Sequence, residues 1–307
     1  MRFFLLSHKI QILCFQTKKK KMKFTPFKLT ALLFLLLSFF QNSFSQVIIE
    51  KEEEKVRSNR GRFYVYWGWN RGYFSDSDIN FKGDTYDFTL FDVVAKDRQS
   101  KFSLETYFKP SSLTVPQTNF GVGYYFRNKW IFTISMDHMK YVVQTAQEVK
   151  IDGYIREMHD IYDGEYSNEN IVIQPSFLQM EHTDGLNYFN FGISRADNLL
   201  QKCKWARNKI ELQIVEGFET GLLIPRSDIT LLRQDDINTY HFAGWGASLK
   251  TGLHLTLFKH YFLHGEIKGG YINLFDILTS SVGNNKATQD FFFIQTTIQF
   301  GGIFYFR

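Results

Sequence analysis

The chain has 307 residues, 18% of them aromatic, with 36 Lys and Arg against 31 Asp and Glu, a formal net charge of +5. Eight of the basic residues precede Gln46 and no Asp or Glu does, so the remainder holds 28 basic and 31 acidic residues, a net charge of −3. The basic balance thus belongs to the N-terminal segment and is no evidence for nucleic-acid binding. Of two cysteines, only Cys203 follows that segment, which excludes an intrachain disulfide from the rest.

The first predicted element is the apolar run Leu29 to Phe40, with Lys23 and Lys28 before it and Gln41-Asn42-Ser43-Phe44-Ser45-Gln46 after it. A basic head, a short apolar middle and small residues before a cut after Ser45 are the order of a secretory signal peptide over 22–45. The run falls short of the roughly 20 apolar residues that a spanning helix needs. Met22 stands just ahead of it, so 1–21 read as an upstream extension, and 46–61, with its run Glu50 to Lys55, as a charged spacer.

From residue 62 onward the pattern is alternation, the period of a strand whose successive side chains face opposite sides. It is clearest at Tyr240 to Phe258. Ala243, Trp245, Ala247, Leu249, Leu253, Leu255 and Leu257 take one parity, and Gly244, Gly246, Ser248, Lys250, Gly252, His254 and Thr256 the other. The last segment repeats it, with Phe292, Ile294, Ile298, Phe300, Phe304 and Phe306 against Gln295, Thr297, Gln299 and Gly301. Further strands are expected near 62–74, 86–95, 102–109, 119–127, 130–143, 186–195, 210–223 and 262–275, ten in all. Without 86–95 and 102–109 the number is eight. The segments between them alternate short and long, as the inner turns and outer loops of a membrane barrel do.

Register can be predicted at the tightest turns, since opposed residues share a face. A turn at Arg127-Asn128-Lys129 sets Phe126 against Trp130, Tyr124 against Phe132, Val122 against Ile134 and Phe120 against Met136. Gly123 then meets Thr133, Gly121 meets Ser135 and Asn119 meets Asp137. A turn at Lys259-His260-Tyr261 sets Thr256 against His264, His254 against Glu266 and Gly252 against Lys268. A soluble β-sandwich would also alternate, but the face opposite the aromatics is rich in Gly, Ser, Thr and Asn, as a crowded lumen requires.

The inward parity collects Glu105, Asp137, Glu211, Gln213, Glu219, Lys250, His254, Glu266 and Lys268. Charges of both signs in a narrow lumen are expected to pair into a polar plug. For catalysis the candidates are Asp137, His138, His182 and Asp184, near the outer ends of their strands. Alternation places Asp137 and His138 on opposite faces, so those neighbours cannot form a dyad alone. No cofactor or metal site is expected. The long outer segment 144–183, with Tyr154, Tyr162 and Tyr166 among acidic residues, is the expected recognition surface.

The signal peptide, the alternating strands and the aromatic finish Phe304-Tyr305-Phe306 together resemble the outer-membrane β-barrel proteins of Gram-negative bacteria, over 62–307. The resemblance implies an all-β fold, an antiparallel transmembrane β-barrel of about 10 strands (8 to 12). It also implies export to the outer membrane, with outer-membrane lipid and the assembly machinery as partners and no nucleic acid. The expected role is a non-enzymatic barrel with a plugged lumen, whose loops bind a surface glycan or protein at 144–183. A barrel hydrolase acting on lipid or peptide at the outer rim, and a narrow pore, are the alternatives.

Overall fold

The computed structural model describes residues 58–101, 103–108, 116–157, 161–200, 210–232, 237–280 and 285–305. Residues 1–57, on which the expected signal peptide and most of the expected spacer fall, together with Cys203 and Phe306, lie outside the described residues. Fifteen strands and one short helix follow in order. They are β1 (Arg62–Phe74), β2 (Ser77–Lys82), β3 (Tyr86–Val93), β4 (Ala95–Lys96), α1 (Leu104–Phe108), β5 (Thr118–Tyr125), β6 (Trp130–Val143), β7 (Glu148–Ile155) and β8 (Gly164–Val172). After them come β9 (Leu178–Asn198), β10 (Ile210–Leu223), β11 (Arg226–Leu231), β12 (Ile237–Tyr240), β13 (Gly244–Leu257), β14 (Tyr261–Leu278) and β15 (Lys286–Tyr305).

Eight of these strands close on themselves in the order β1-β5-β6-β9-β10-β13-β14-β15, with β15 pairing back to β1 and every pair antiparallel. The barrel therefore has eight strands, the lower end of the expected range. Register partners can be followed from Phe292 through Tyr271, Ala247, Thr220, Phe191, Ile134, Val122 and Val65. The path returns to β15 at Gly302, ten residues along. That stagger over eight strands tilts them by roughly 40° and leaves a lumen that side chains alone can fill.

The two segments that made the count ten are not barrel strands. Tyr86 to Val93 is a strand, but it pairs with β2 and β7 outside the ring. Its inward face is Tyr86, Phe88, Leu90 and Val93, and its outward face includes Asp87 and Thr89, the reverse of a lipid-facing strand. Parity reveals a strand but not which side meets lipid. The segment read as 102–109 instead forms α1, because Ser103 caps it: its Oγ accepts from the Thr106 N–H at 3.0 Å, and Tyr107 N–H donates to the Ser103 carbonyl. Phe102 and Lys109 themselves lie outside the described residues.

At the first hairpin the ladder from Asn119↔Asp137 to Tyr125↔Ile131 has the predicted register. The expected Phe126–Trp130 pair is replaced by Arg127 and Trp130, which exchange backbone hydrogen bonds and leave Asn128-Lys129 as the turn. At the second hairpin the parity is right and the register is two residues off. His254 faces His264, Gly252 faces Glu266 and Lys250 faces Lys268. The turn sits at 258–260, where Phe258 and Lys259 both take left-handed φ (51° and 68°) and His260 N–H donates to the Leu257 carbonyl. Such turns usually advertise themselves with Asn-Gly, and Phe-Lys gives no such signal.

Beyond the ring, the outer ends of the strands continue upward. β2 runs on along β15 after β1, β11 runs on along β9 after β10, and the sheet extends sideways through β3 and β7 to β8. Along β15 the faces keep their parity while their chemistry inverts. Gln295, Thr297 and Gln299 face inward against Ile294, Ile298 and Phe300 outward. Nearer the strand's start, Ala287, Phe291 and Phe293 face inward against Lys286, Thr288 and Asp290 outward. The molecule thus has a lower storey, polar inside and apolar outside, and an upper storey built the opposite way. The upper interior is one apolar core that includes Ile79, Phe81, Phe88, Tyr141, Tyr188, Leu274 and Phe291.

Candidate functional site

The lower storey's lumen holds a chain of alternating charges. Lys268 Nζ lies 2.5 Å from Asp137 Oδ2 and 2.6 Å from Glu219 Oε2. Lys250 Nζ lies 2.6 Å from Glu219 Oε1 and 3.3 Å from Glu266 Oε2, and His264 Nε2 approaches that same Glu266 oxygen at 3.3 Å. Asn190 and Asn119 amides also donate to Asp137. Six strands, β5, β6, β9, β10, β13 and β14, supply these groups, and their side chains are buried. Lys250 and Lys268 stand directly opposite one another, an arrangement that would repel without Glu219 shared between them and Glu266 and Asp137 each holding one of them.

The large rings of the lumen are accommodated by glycine. A Cβ at Gly123 would stand 2.1 Å from Tyr64 Cζ, and one at Gly121 would stand 2.7 Å from Tyr66 Oη, so both tyrosines lie across the bare backbone of β5. His254 stacks on Phe262 at 4.4 Å between ring centroids, with His264 at 5.4 Å. It sits beside the charge chain and makes no ion pair in it.

Two residues expected in this network are elsewhere. Glu105 is exposed on α1, which lies against the barrel exterior, with the Tyr107 and Phe108 rings 5.6 and 5.2 Å from that of Trp69. The strand assumed for 102–109 gave it an inward direction it does not have. Glu211 faces inward, but at the short-turn end, where it takes a two-pronged pair from Arg62 at 2.7 and 2.9 Å. Gln213 accepts a hydrogen bond from the Tyr125 hydroxyl at 3.0 Å in the same region.

The catalytic candidates are dispersed into four environments. Asp137 is consumed by Lys268 and the two asparagines. His138 Nδ1 bonds the Asn187 side chain at 2.9 Å, on the outward parity. Asp184 pairs with Arg226 at 3.1 Å. His182 is fully buried in the upper storey, opposite Tyr141, with neither ring nitrogen hydrogen-bonded, and burial drops its pKa to about 4. No two of them share a hydrogen bond among the described residues.

A histidine not singled out by its sequence does have a carboxylate. His241 Nε2 and Lys286 Nζ lie 2.8 and 2.6 Å from the two Asp276 oxygens. Burial pushes the Asp276 carboxyl up, and the bonds from Lys286 and His241 more than reverse it. Thirty-five residues separate His241 from Asp276 along the chain, and the continuation of the β13–β14 pairing, where the Phe275 and Asp276 N–H groups donate to the Ala243 carbonyl, brings them together.

The described residues of the expected recognition segment 144–183 are folded. β7 and β8 form a hairpin, and Tyr162 is buried, its hydroxyl 2.7 Å from Ser176 Oγ. Tyr166 donates to the Tyr162 carbonyl at 2.7 Å, and Tyr154 carries the Arg156 guanidinium over its ring at 4.4 Å.

An apolar outer belt, a polar filled lumen, an even strand number and alternating short and long connections are now all in view. This is the architecture of an outer-membrane β-barrel. No family model matches the chain, and no curated protein matches it. Among solved structures it is similar to the outer membrane protein OprG from Pseudomonas aeruginosa, at 11% identity over 81% of this chain and 98% of that one, with a TM-score of 0.39. It is also similar to Ail of Yersinia pestis, solved with the heparin analogue sucrose octasulfate, at 9% identity over 80% and 99% and a TM-score of 0.32. The outer membrane protease OmpT from Escherichia coli matches at 8% identity over 82% and 99%, with a TM-score of 0.26. Matches at this level assign no activity.

Proposed function

We propose that this protein is exported through a cleaved signal peptide to the outer membrane. There the lower storey anchors and the upper storey works, as a non-enzymatic binding platform facing away from the cell. The observation that carries the reading is the inversion along β15: one unbroken strand whose outward face turns from Lys286, Thr288 and Asp290 to Phe292, Ile294 and Ile298. A soluble sandwich has no reason to invert, whereas a strand leaving a bilayer must.

Two further observations bear on the alternatives. Against a pore, the lumen is filled by the charge chain in its lower part and by the apolar core in its upper part. Against a hydrolase using His138 or His182, neither hydrogen-bonds a carboxylate among the described residues, and His182 is fully buried. The test is fractionation with heat-modifiable gel mobility, followed by conductance in planar bilayers. A boiled and an unboiled band of different mobility from the outer-membrane fraction, with no channel events, is expected. Recovery from the soluble periplasm overturns the reading, and discrete conductance steps overturn the closed lumen.

A further inference from the structure

The sheet ends at β8. Its inner edge pairs with β7, and among the described residues nothing pairs with the other edge. Seven of the nine residues of β8 are exposed, far more than in any strand of the ring. An open row of backbone N–H and C=O groups is a template for another strand, and proteins usually shorten, cover or charge such an edge.

Here the charge has one sign. The described residues between 148 and 172 include six acidic residues, Glu148, Asp152, Glu157, Asp163, Glu165 and Glu169, against Lys150 and Arg156. Arg156 is already held by Glu165 at 2.9 Å, and the Lys150 ammonium donates to the Asn168 carbonyl at 3.0 Å. Both cations are thus turned to the hairpin itself. Two copies of so acidic an edge repel one another, which blocks self-pairing but leaves a basic strand welcome. The register break between Ile151 and Gly153, with Asn168 at φ 56°, bends the edge and leaves Glu169–Val172 as a regular outer stretch. Within it the 43% exposed Val172 offers apolar contact, while Ile171 packs back against the upper core.

We propose that β8 is a docking edge that captures an extended, basic polypeptide segment by strand addition. Backbone hydrogen bonds supply the grip and the acidic side chains the selection. This rests on the upper storey being the exposed, working half of the protein.

The test uses the full protein in detergent micelles and fluorescence anisotropy of three labelled nonapeptides. One alternates Lys and Val, the second alternates Glu and Val, and the third is the Lys-Val peptide with N-methyl groups on alternate backbone nitrogens. The Lys-Val peptide is expected to bind at least about tenfold more tightly than either control, and to weaken as salt rises. The double variant Glu165→Lys, Glu169→Lys is expected to lose that preference while keeping its heat-modifiable mobility. Equal binding of the N-methylated peptide overturns strand addition in favour of plain charge attraction. Equal binding of the Glu-Val peptide, or no binding of the Lys-Val peptide, overturns the proposal outright. If the double variant does not fold, the three peptides on the unaltered protein decide. Loss of the folded gel band from the unaltered protein would strike the membrane reading instead, so the two failures are distinguishable.

Discussion

The lower and upper storeys are built from the same strands, yet they are stabilised by opposite means. Below, solvent for the outer face is lipid, so apolar burial gives nothing on the outside and the interior must satisfy itself through the Asp137–Lys268–Glu219–Lys250–Glu266 chain. Above, the outer face meets water, and Phe81, Phe88, Tyr141 and Phe291 gain from leaving it. One sheet thus carries two folding logics, and the boundary is crossed without a break in β6, β9, β14 or β15. The difference teaches that a barrel's strand count and its membrane span are separate quantities. Its strands can run on past the bilayer and become an ordinary core.

The largest expected effect comes from breaking the lower logic. Lys268→Met leaves Asp137 and Glu219 without one of their cations in a dry interior, at a cost of about 3–5 kcal/mol. Urea unfolding in lipid vesicles should show it as a lowered midpoint. A midpoint like that of the unaltered protein would mean that water or repacking, not the alternating ion pairs, holds the lumen together. Adding Asp137→Asn to Lys268→Met should restore part of the loss, because it removes one of the orphaned charges.

The second prediction compares the storeys on one face of one strand. Ile298→Lys and Thr288→Lys both place an ammonium outward on β15, ten residues apart. The first should cost about 2–4 kcal/mol in a bilayer, where the site meets hydrocarbon. The second should stay within about 0.5 kcal/mol, as surface changes do. Equal costs would erase the boundary.

The third is specific to the upper storey. His182 has its folded-state pKa lowered to about 4, while the unfolded chain takes up its proton near 6.5. Between those values the unfolded state binds more protons, so stability is complete above about pH 6.5 and falls as pH drops toward 4. At pH 5 the loss is about 2 kcal/mol relative to pH 8. It should appear as trypsin sensitivity of the upper-storey strands outside the ring, β2, β3, β7 and β8, while the barrel's heat-modifiable band persists. His182→Phe should flatten the profile between pH 4 and 6.5. If the variant and the unaltered protein track each other there, the imidazole is reached by water and the upper core is looser than its burial implies.

How much of this was legible beforehand follows from the same two logics. Alternation at 119–143, 240–258 and 292–304 located strands, their faces and one hairpin register up to its turn, because side-chain parity is set by backbone geometry and survives any environment. The upper storey was hidden because parity is blind to polarity: Phe88 against Thr89 reads like Phe292 against Gln295 unless the neighbouring strands are known. Lys250, Lys268, Glu219 and Glu266 were legible as inward residues, and the order in which they pair was not. That order depends on strand stagger, and the stagger at β13–β14 was misread by two residues at a turn whose left-handed Phe258 and Lys259 carry no glycine or asparagine signal.

The smallest expected effect addresses how tightly the lower storey is filled. Gly121 and Gly123 carry the rings of Tyr66 and Tyr64, and a methyl at Gly123 would meet the Tyr64 ring at 2.1–2.4 Å. Gly123→Ala must therefore push that ring toward Phe262 and His254, which already stand at 5.6 and 6.2 Å from it. Overpacking of this kind costs about 1–3 kcal/mol. Pairing the change with Tyr64→Phe tests the cause. That hydroxyl oxygen lies 2.4 Å from the built methyl, so removing it relieves one of three close contacts and should return only part of the loss. Tyr64→Leu, which withdraws the ring, should return most of it. If neither partner change recovers anything, the penalty lies in the β5 backbone pairing, and the lumen has slack that the upper storey, with its interlocked aromatic core, does not.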